Sequence, residues 1–185
     1  MTALLPAVRD GSGLQAALAL GYRRLLLERG NLLNMLGPLA AASRQGVAIF
    51  VNLDGVDGIA HDSETLAFLA TDLQLSGVVS VKPRVLKEAV RFRLQAVQRL
   101  HALDSTGIET GLASLVSPEP DVVAIAPAIA IPYVIDRVRA RTRAAVWGTG
   151  FVTRRDQVPV LLSAGAAAVS SAERSVWEAF QPLPV

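Results

Sequence analysis

The stretch A-A-V-W-G-T-G-F-V-T-R-R-D, Ala144 to Asp156, and then V-P-V-L-L-S-A-G-A-A-A-V-S-S, Val158 to Ser171, sets the pattern of the whole chain. Ala145 to Trp147 is a short apolar strand that runs into a Gly148-Thr149-Gly150 turn. A helix follows, with Thr153 and Asp156 at its start, and it stops at Ser163-Ala164-Gly165. A second small-residue strand ends in Ser170-Ser171. Glycines let the backbone approach an anion and turn N–H groups toward it, so the Gly148-Thr149-Gly150 turn, with Ser170-Ser171 on the next strand, reads as a phosphate site. The plainer reading of the glycines is a strand-to-helix turn that needs positive φ. In a (β/α)8 barrel the loops after strands seven and eight commonly hold phosphate. The fold therefore depends on whether six strands precede these two.

Leu4 to Val8 is a first strand, ended by Arg9-Asp10-Gly11. Ser12 caps a helix through Leu14, Ala17 and Leu18 that closes at Gly21. Arg24 to Glu28 is a second strand, followed by Arg29-Gly30-Asn31 and a helix from about Leu32 to Arg44 that Gln45-Gly46 stops. Val47 to Leu53 is apolar almost throughout and rich in β-branched residues, which suits a parallel strand buried on both faces. After a polar loop, Asp54 to Asp62, a helix starts at Ser63-Glu64 and runs through Leu66, Phe68 and Leu69. Gly77 to Val81 is strand four, and Pro83 fits the first turn of helix four. Leu94 to Arg99 is strand five, and a helix beyond Asp104-Ser105 runs to about Leu115. Pro118 and Pro120 break the chain before strand six, Asp121 to Ala126, and helix six spans about Ile131 to Arg141. Helix eight holds Val176, Trp177 and Phe180, and Pro182 and Pro184 end regular structure.

Eight strand-then-helix units predict one domain, residues 1–185, folded as a compact TIM-like (β/α)8 barrel with short helices. Such barrels usually exceed about 200 residues. Short helices, notably the first and third, reconcile the length with the fold. A flavodoxin-like open sheet is the alternative, and it requires some of the weaker strands to be absent.

With 51% hydrophobic and 18% charged residues, the composition is that of an ordered globular chain. The absence of cysteine excludes disulfides and thiolate metal sites, and two histidines, His61 and His101, exclude a histidine-rich metal centre. No apolar run is long enough to cross a bilayer, and the N-terminus lacks a basic segment followed by a long apolar one. The expected compartment is the cytoplasm, with no membrane partner. A net charge of +2 is mild for a dedicated nucleic-acid binder.

The predicted strand ends gather polar residues. Lys82 reads as a cation for an anionic ligand, as a Schiff-base lysine, or as a surface residue. Asp54, Asp57 and Asp62 have the chemistry to hold Mg²⁺ and equally the character of turn formers. Arg99 and Asp104 read as an ion pair or as ligand contacts. Arg137, Arg139, Arg141 and Arg143 alternate, a spacing that scatters them around a helix; they and Arg154-Arg155 read as contacts to nucleic-acid phosphates or as solvated surface. His61 and His101 show no paired acid or nucleophile, and no catalytic triad or metal motif is present.

From Leu5 to Phe180 the chain resembles the glycerol-3-phosphate-responsive antiterminators of bacterial glycerol uptake operons. The likeness rests on L-P-A-V near the start, G-N-L-L-N-M at Gly30 to Met35, and N-L-D-G-V-D-G-I at Asn52 to Ile59. It continues with G-V-V-S-V-K at Gly77 to Lys82, Q-A-V-Q-R-L-H-A-L-D-S at Gln95 to Ser105, Pro120-Asp121, G-T-G-F-V, and A-G-A-A-A-V-S-S. The resemblance implies a TIM-like barrel that senses glycerol 3-phosphate and acts on leader mRNA so that transcription passes a terminator. It implies a regulator rather than an enzyme. Thr149, Gly150, Ser170 and Ser171 would cradle the phosphate, and Asp54, Lys82, Gln98 and Arg99 would line the pocket. No cofactor is implied beyond this effector, Mg²⁺ stays an open possibility, and a homo-oligomer is left open. Four positions depart from the family pattern. Asn52 stands for a histidine, Ala124 for an acidic residue, Ala128 for the glycine of a P-G-I turn, and Thr149 for the first glycine of a Gly-Gly pair. Alanine at 124 removes a carboxylate that would accept from glycerol hydroxyls, so a different small organic phosphate is an open alternative. The other functional reading is a barrel enzyme on a small phosphorylated metabolite, with Lys82 or Asp54 in its chemistry.

Overall fold

The computed structural model describes residues 3–115, 119–180 and 182. Its strands are β1 (Leu4–Val8), β2 (Arg24–Leu27), β3 (Gly30–Asn31), β4 (Ala48–Asn52), β5 (Val56–Asp57), β6 (Gly77–Ser80), β7 (Gln95–His101), β8 (Val122–Ala126), β9 (Ala145–Gly148) and β10 (Ala168–Ser171). Its helices are α1 (Gly11–Ala19), α2 (Leu32–Arg44), α3 (Ser63–Thr71), α4 (Pro83–Arg91), α5 (Ser105–Ala113), α6 (Ile131–Arg139), α7 (Gln157–Ser163) and α8 (Arg174–Ala179). Eight strands close a barrel in the order β1-β10-β9-β8-β7-β6-β4-β2. The seam is parallel, with Leu4 opposite Val169 and Leu5 opposite Ser170. The two-residue strands β3 and β5 pair outside the barrel, between the loops that leave β2 and β4. The (β/α)8 reading is the observed fold, and the open sheet is set aside by this closure.

Two apolar cores account for why the strands carry no clean alternation. Leu5, Leu26, Phe50, Val79, Val97, Val122, Ala124, Trp147 and Ala168 fill the barrel lumen. The opposite faces of the same strands, such as Leu25, Leu27, Ile49, Val51 and Val78, pack against the helices. In the lumen the Phe50 and Trp147 rings meet edge to face, centroids 5.0 Å apart. Arg24, at the start of β2, lays its guanidinium over Trp147 at 4.5 Å and Phe50 at 5.4 Å, which floors the lumen. Side chains alternate along a strand. Since Leu26, Phe50, Val97, Trp147 and Ala168 point inward, Glu28, Asn52, Arg99, Thr149 and Ser170 point to the mouth above them.

Short helices fit a barrel into 185 residues: α1 and α3 have nine residues each, α7 seven and α8 six. Several boundaries differ from the sequence reading. Asp10, not Ser12, caps α1, because its carboxylate accepts from Gly13 N at 2.8 Å and Ser12 Oγ donates to it as well. Those bonds hold the Asp10 carboxyl below the usual carboxylate range. Strand five continues to His101 because the chain stays paired with β8 out to Ala126. Helix six ends at Arg139, not Arg141; Ala140 and Arg141 form a turn in which Arg141 N and Thr142 N donate to Val138 O, and Thr142 is buried. Pro120 lies just before β8 and Pro182 lies beyond α8, while Pro118 and Pro184 fall outside the described residues. Among the described residues no helix is long and apolar enough to cross a membrane.

Candidate ligand site at the barrel mouth

The C-terminal ends of β2, β4 and β7 bring three inward side chains together. Arg99 Nη1 and Nη2 donate to Glu28 Oε1 and Oε2 at 2.9 and 2.8 Å, a two-pronged pair that reaches across the mouth. Asn52 Nδ2 donates to the same carboxylate and to the Glu28 carbonyl, both at 3.1 Å. Asn52 Oδ1 in turn accepts from Asp54 N at 3.3 Å. The Arg99 side chain is 10% exposed and that of Glu28 is 23% exposed. Arg99 Nε is buried without a hydrogen-bond partner among the described residues. A buried donor left open in this way favours an acceptor that arrives with a ligand.

Next around the rim, Asp54 ties β4 to β6: its Oδ1 accepts from Ser80 Oγ at 3.1 Å and its Oδ2 from Val81 N at 2.7 Å. Lys82 Nζ lies 3.9 Å from Asp54 Oδ1 and 2.7 Å from His61 Nδ1. His61 Nε2 is 2.8 Å from the Leu53 carbonyl, which can only accept. The imidazole proton therefore sits on Nε2, and Nδ1 accepts from the Lys82 ammonium. Lys82 is half-exposed on this rim and is tied to the loop rather than to the Glu28–Arg99 pair. The three loop aspartates do not converge as a Mg²⁺ site would require. Asp62 Oδ1 caps α3 by accepting from Thr65 N, Asp57 is exposed in β5, and among the described residues no cluster of three metal-ligating side chains is found.

On the opposite side of the mouth, β9 and β10 are paired, with Val169 opposite Gly148. Thr149 and Ser170 follow on these neighbouring strands, both buried and both inward. Thr149 N continues the ladder to Ile125 O at 2.9 Å, and Thr149 Oγ1 lies 3.4 Å from the same carbonyl. Ser170 Oγ makes no hydrogen bond to another described residue. Gly150 takes φ +79 and has open space where a side chain would project, so it serves the turn and leaves the approach clear. At Gly148 a Cβ would lie 2.9 Å from Ile131 Cδ1 and 3.0 Å from Ala128 Cβ, so glycine there lets β9 pack against the β8–α6 connection.

Two predicted pocket residues face elsewhere. Gln98 points outward, between Val97 and Arg99 on β7, and its Nε2 donates to Ser114 O and Oγ beside α5. Ser171 also points outward: its Oγ donates to Val152 O at 2.7 Å and accepts from Glu173 N at 3.1 Å. Both fasten the barrel to its outer layer. Asp104 caps α5 through Gly107 N and does not pair with Arg99. The structure thus brings Thr149, Gly150, Ser170 and Arg99 to the mouth, sets Asp54 and Lys82 on its rim, and excludes Gln98 and Ser171. Sequence reasoning left Glu28 off the site; its place two residues beyond inward Leu26 is the signal that identifies it. Ala124, fully buried in the lumen, sits beside Arg99 in the β7–β8 register, and Arg99 holds the carboxylate of Glu28 at the mouth. Outside the barrel, a groove of about 260 Å³ opens between α1 and α8, with Arg9, Asp10, Ser12 and Arg174 on its walls.

These features define a (β/α)8 barrel with a buried cation–carboxylate cluster facing two small hydroxyls across its C-terminal mouth. The profile of the glycerol-3-phosphate responsive antiterminators matches residues 4–177, and the chain belongs to that family. The family is one of regulators, not enzymes, which removes the barrel-enzyme reading. The chain is similar to a crystallised glycerol uptake operon antiterminator regulatory protein of Listeria monocytogenes str. 4b F2365, with 22% identity, 95% of each chain covered and a TM-score of 0.86. It is also similar to a glycerol uptake operon antiterminator-related protein of Thermotoga maritima MSB8, with 23% identity, 96% of this chain and 99% of that one covered, and a TM-score of 0.81. Among curated proteins it is 23% identical to the uncharacterized protein YgcP of Escherichia coli (strain K12), over 94% of this chain and 91% of that one.

Proposed function

We propose that this chain binds glycerol 3-phosphate, or a small phosphate of similar shape, at the barrel mouth and acts on leader mRNA to let transcription pass a terminator. The observation that carries the reading is the mouth itself. A buried guanidinium with an open Nε lies in a ring of inward polar groups whose far side offers an uncommitted hydroxyl, Ser170 Oγ. Phosphate oxygens accept from Ser170, from Thr149 and from backbone N–H groups of the β9–α7 turn. The Arg99 guanidinium supplies the counter-charge. Glu28 accepts from ligand hydroxyls at the polyol end, the role that Ala124 cannot fill. Asp54 and Lys82 hold the rim through Ser80 and His61.

The direct test is transcription in vitro through a leader terminator, with and without glycerol 3-phosphate. The protein together with the ligand raises the fraction of read-through transcript, while inorganic phosphate or glycerol alone does not. Read-through that is the same with and without protein, at saturating ligand, sinks the reading.

A further inference from the structure

The small net positive charge is unevenly placed. Arg23, Arg44, Arg93, Arg139, Arg141 and Arg143 are all exposed, and all lie where strands begin and helices end, opposite the ligand mouth. None of the six forms an ion pair among the described residues. Two of them have an ordinary explanation. Arg44 and Arg139 occupy the last turns of α2 and α6, where a cation meets the negative end of the helix dipole. Arg23, Arg93, Arg141 and Arg143 lie outside any helix, in the connections that lead into β2, β7 and β9.

Local geometry turns these arginines outward. Arg141 N and Thr142 N both donate to Val138 O in the turn that ends α6, and Thr142 is buried with its Oγ1 accepting from Ala144 N at 3.0 Å, which leaves Arg141 and Arg143 exposed on either side of it. Arg93 follows α4 in the left-handed region, φ +60, a position that glycine fits better. The acids at this end are engaged with hydrogen-bond donors. Asp121 Oδ2 accepts from Ala96 N, Glu119 Oε2 from Arg143 N, and Asp72 Oδ2 from Thr71 Oγ1. At the mouth end, by contrast, carboxylates cap α1, α3 and α5 or pair with Arg99, Lys82 and Arg154.

We propose that this arginine-bearing end of the barrel holds the RNA backbone, leaving the mouth to the small phosphate. The assignment rests on the antiterminator reading above. Guanidinium forks bind phosphate with two parallel hydrogen bonds, and arginines on successive connections give a strand several points of attachment. The rival surface is at the mouth, where Tyr133 and Phe151 are 85% and 72% exposed and available for base stacking. There Arg154 is held by Asp156 at 2.9 and 3.0 Å, and Arg9, Arg29, Arg84 and Arg155 are exposed without an ion pair among the described residues, four open cations against six at the opposite end.

The experiment measures binding of a labelled mixed-sequence RNA as a function of salt. One variant carries Arg93→Gln, Arg141→Gln and Arg143→Gln. A control, Arg29→Gln with Arg84→Gln and Arg155→Gln, removes the same charge from the other end. The first variant weakens binding about tenfold or more, and its log–log salt slope falls by about two, at roughly 0.7 per lost phosphate contact on a single strand. The control stays within about twofold of wild type, and replacing the same three arginines with lysine keeps most of the affinity. Melting temperatures verify that every variant is folded. Wild-type binding retained by the first variant, or lost instead in Tyr133→Ala/Phe151→Ala, overturns the placement alone. If wild-type protein binds no RNA even at low salt, the antiterminator reading falls and takes the placement with it.

Discussion

Removing Glu28 or Arg99 isolates the interaction that spans the mouth. The two side chains exchange two hydrogen bonds of 2.8–2.9 Å while only 23% and 10% exposed, so their charges are poorly screened by water. Breaking a fully buried pair costs about 3–5 kcal/mol, and a hydrogen bond to a charged group is worth about 1.5–3 kcal/mol. The partial exposure of Glu28 brings the expected cost of Glu28→Leu down to about 2–3 kcal/mol. That change strands a buried guanidinium and leaves Asn52 Nδ2 with only the Glu28 carbonyl. Arg99→Met costs less, about 1–2 kcal/mol, because Glu28 keeps Asn52 and can reach water. For a chain of this length each kcal/mol moves the midpoint by about 2–4 °C. Glu28→Leu thus lowers Tm by about 5–10 °C. The double variant loses less than the sum of the singles, by about 1–2 kcal/mol, the coupling expected of a contacting charged pair. Thermal and urea unfolding of the four proteins measure this. Single effects below about 0.5 kcal/mol that simply add would show that the pair does not hold the mouth.

The two neighbouring serines separate structure from ligand binding. Ser170→Ala leaves basal stability within about 0.5 kcal/mol, since Oγ is uncommitted, but shrinks the thermal shift given by glycerol 3-phosphate. Ser171→Ala costs about 1–2 kcal/mol through its bonds to Val152 and Glu173 and keeps the shift; the reverse pattern in a ligand thermal-shift assay would contradict the assignment. Gln98→Met, on the outward face of β7, changes Tm and leaves glycerol 3-phosphate affinity by calorimetry unaltered, whereas lost affinity would return Gln98 to the pocket. Burial pushes the Tyr22 phenol up to about 12 from its ordinary 10. The unfolded chain then ionises first, so stability is full below pH 10 and is lost as pH rises toward 12. Tyr22→Phe flattens that fall, at a neutral-pH cost of about 1 kcal/mol for the hydroxyl bound near the Trp177 and Phe180 carbonyls; an unchanged alkaline slope would refute it.

The barrel was legible because strand and helix alternate eight times, and because the β9–α7–β10 stretch carries its own stop signals. What could not be read was which side of each strand faces in. β4 is almost wholly apolar and β7 carries polar side chains on both faces, so Gln98 and Arg99, adjacent in sequence, are equally suited to the pocket on pattern alone; only the closed lumen, with Val97 inside, decides between them. The same parity divides Ser170 from Ser171. Glu28 was visible at its strand end, but its partner lies 71 residues away across the mouth, a relation no local pattern encodes. His61 had no recognisable partner because the β4–α3 loop folds back to set it against Lys82. Helix six was read too long because nothing in Arg139 to Arg143 breaks a helix, while burial of Thr142 in the turn before β9 ends it.

The most direct measurement of the central claim is the melting temperature of the wild-type protein with glycerol 3-phosphate, beside inorganic phosphate and glycerol at equal concentration. A ligand that binds only the folded chain raises Tm with its occupancy. The mouth described here predicts a rise with glycerol 3-phosphate well beyond that with phosphate, little with glycerol, and a much smaller rise in Ser170→Ala. Equal shifts with phosphate and glycerol 3-phosphate, or no shift with any of the three, would contradict it.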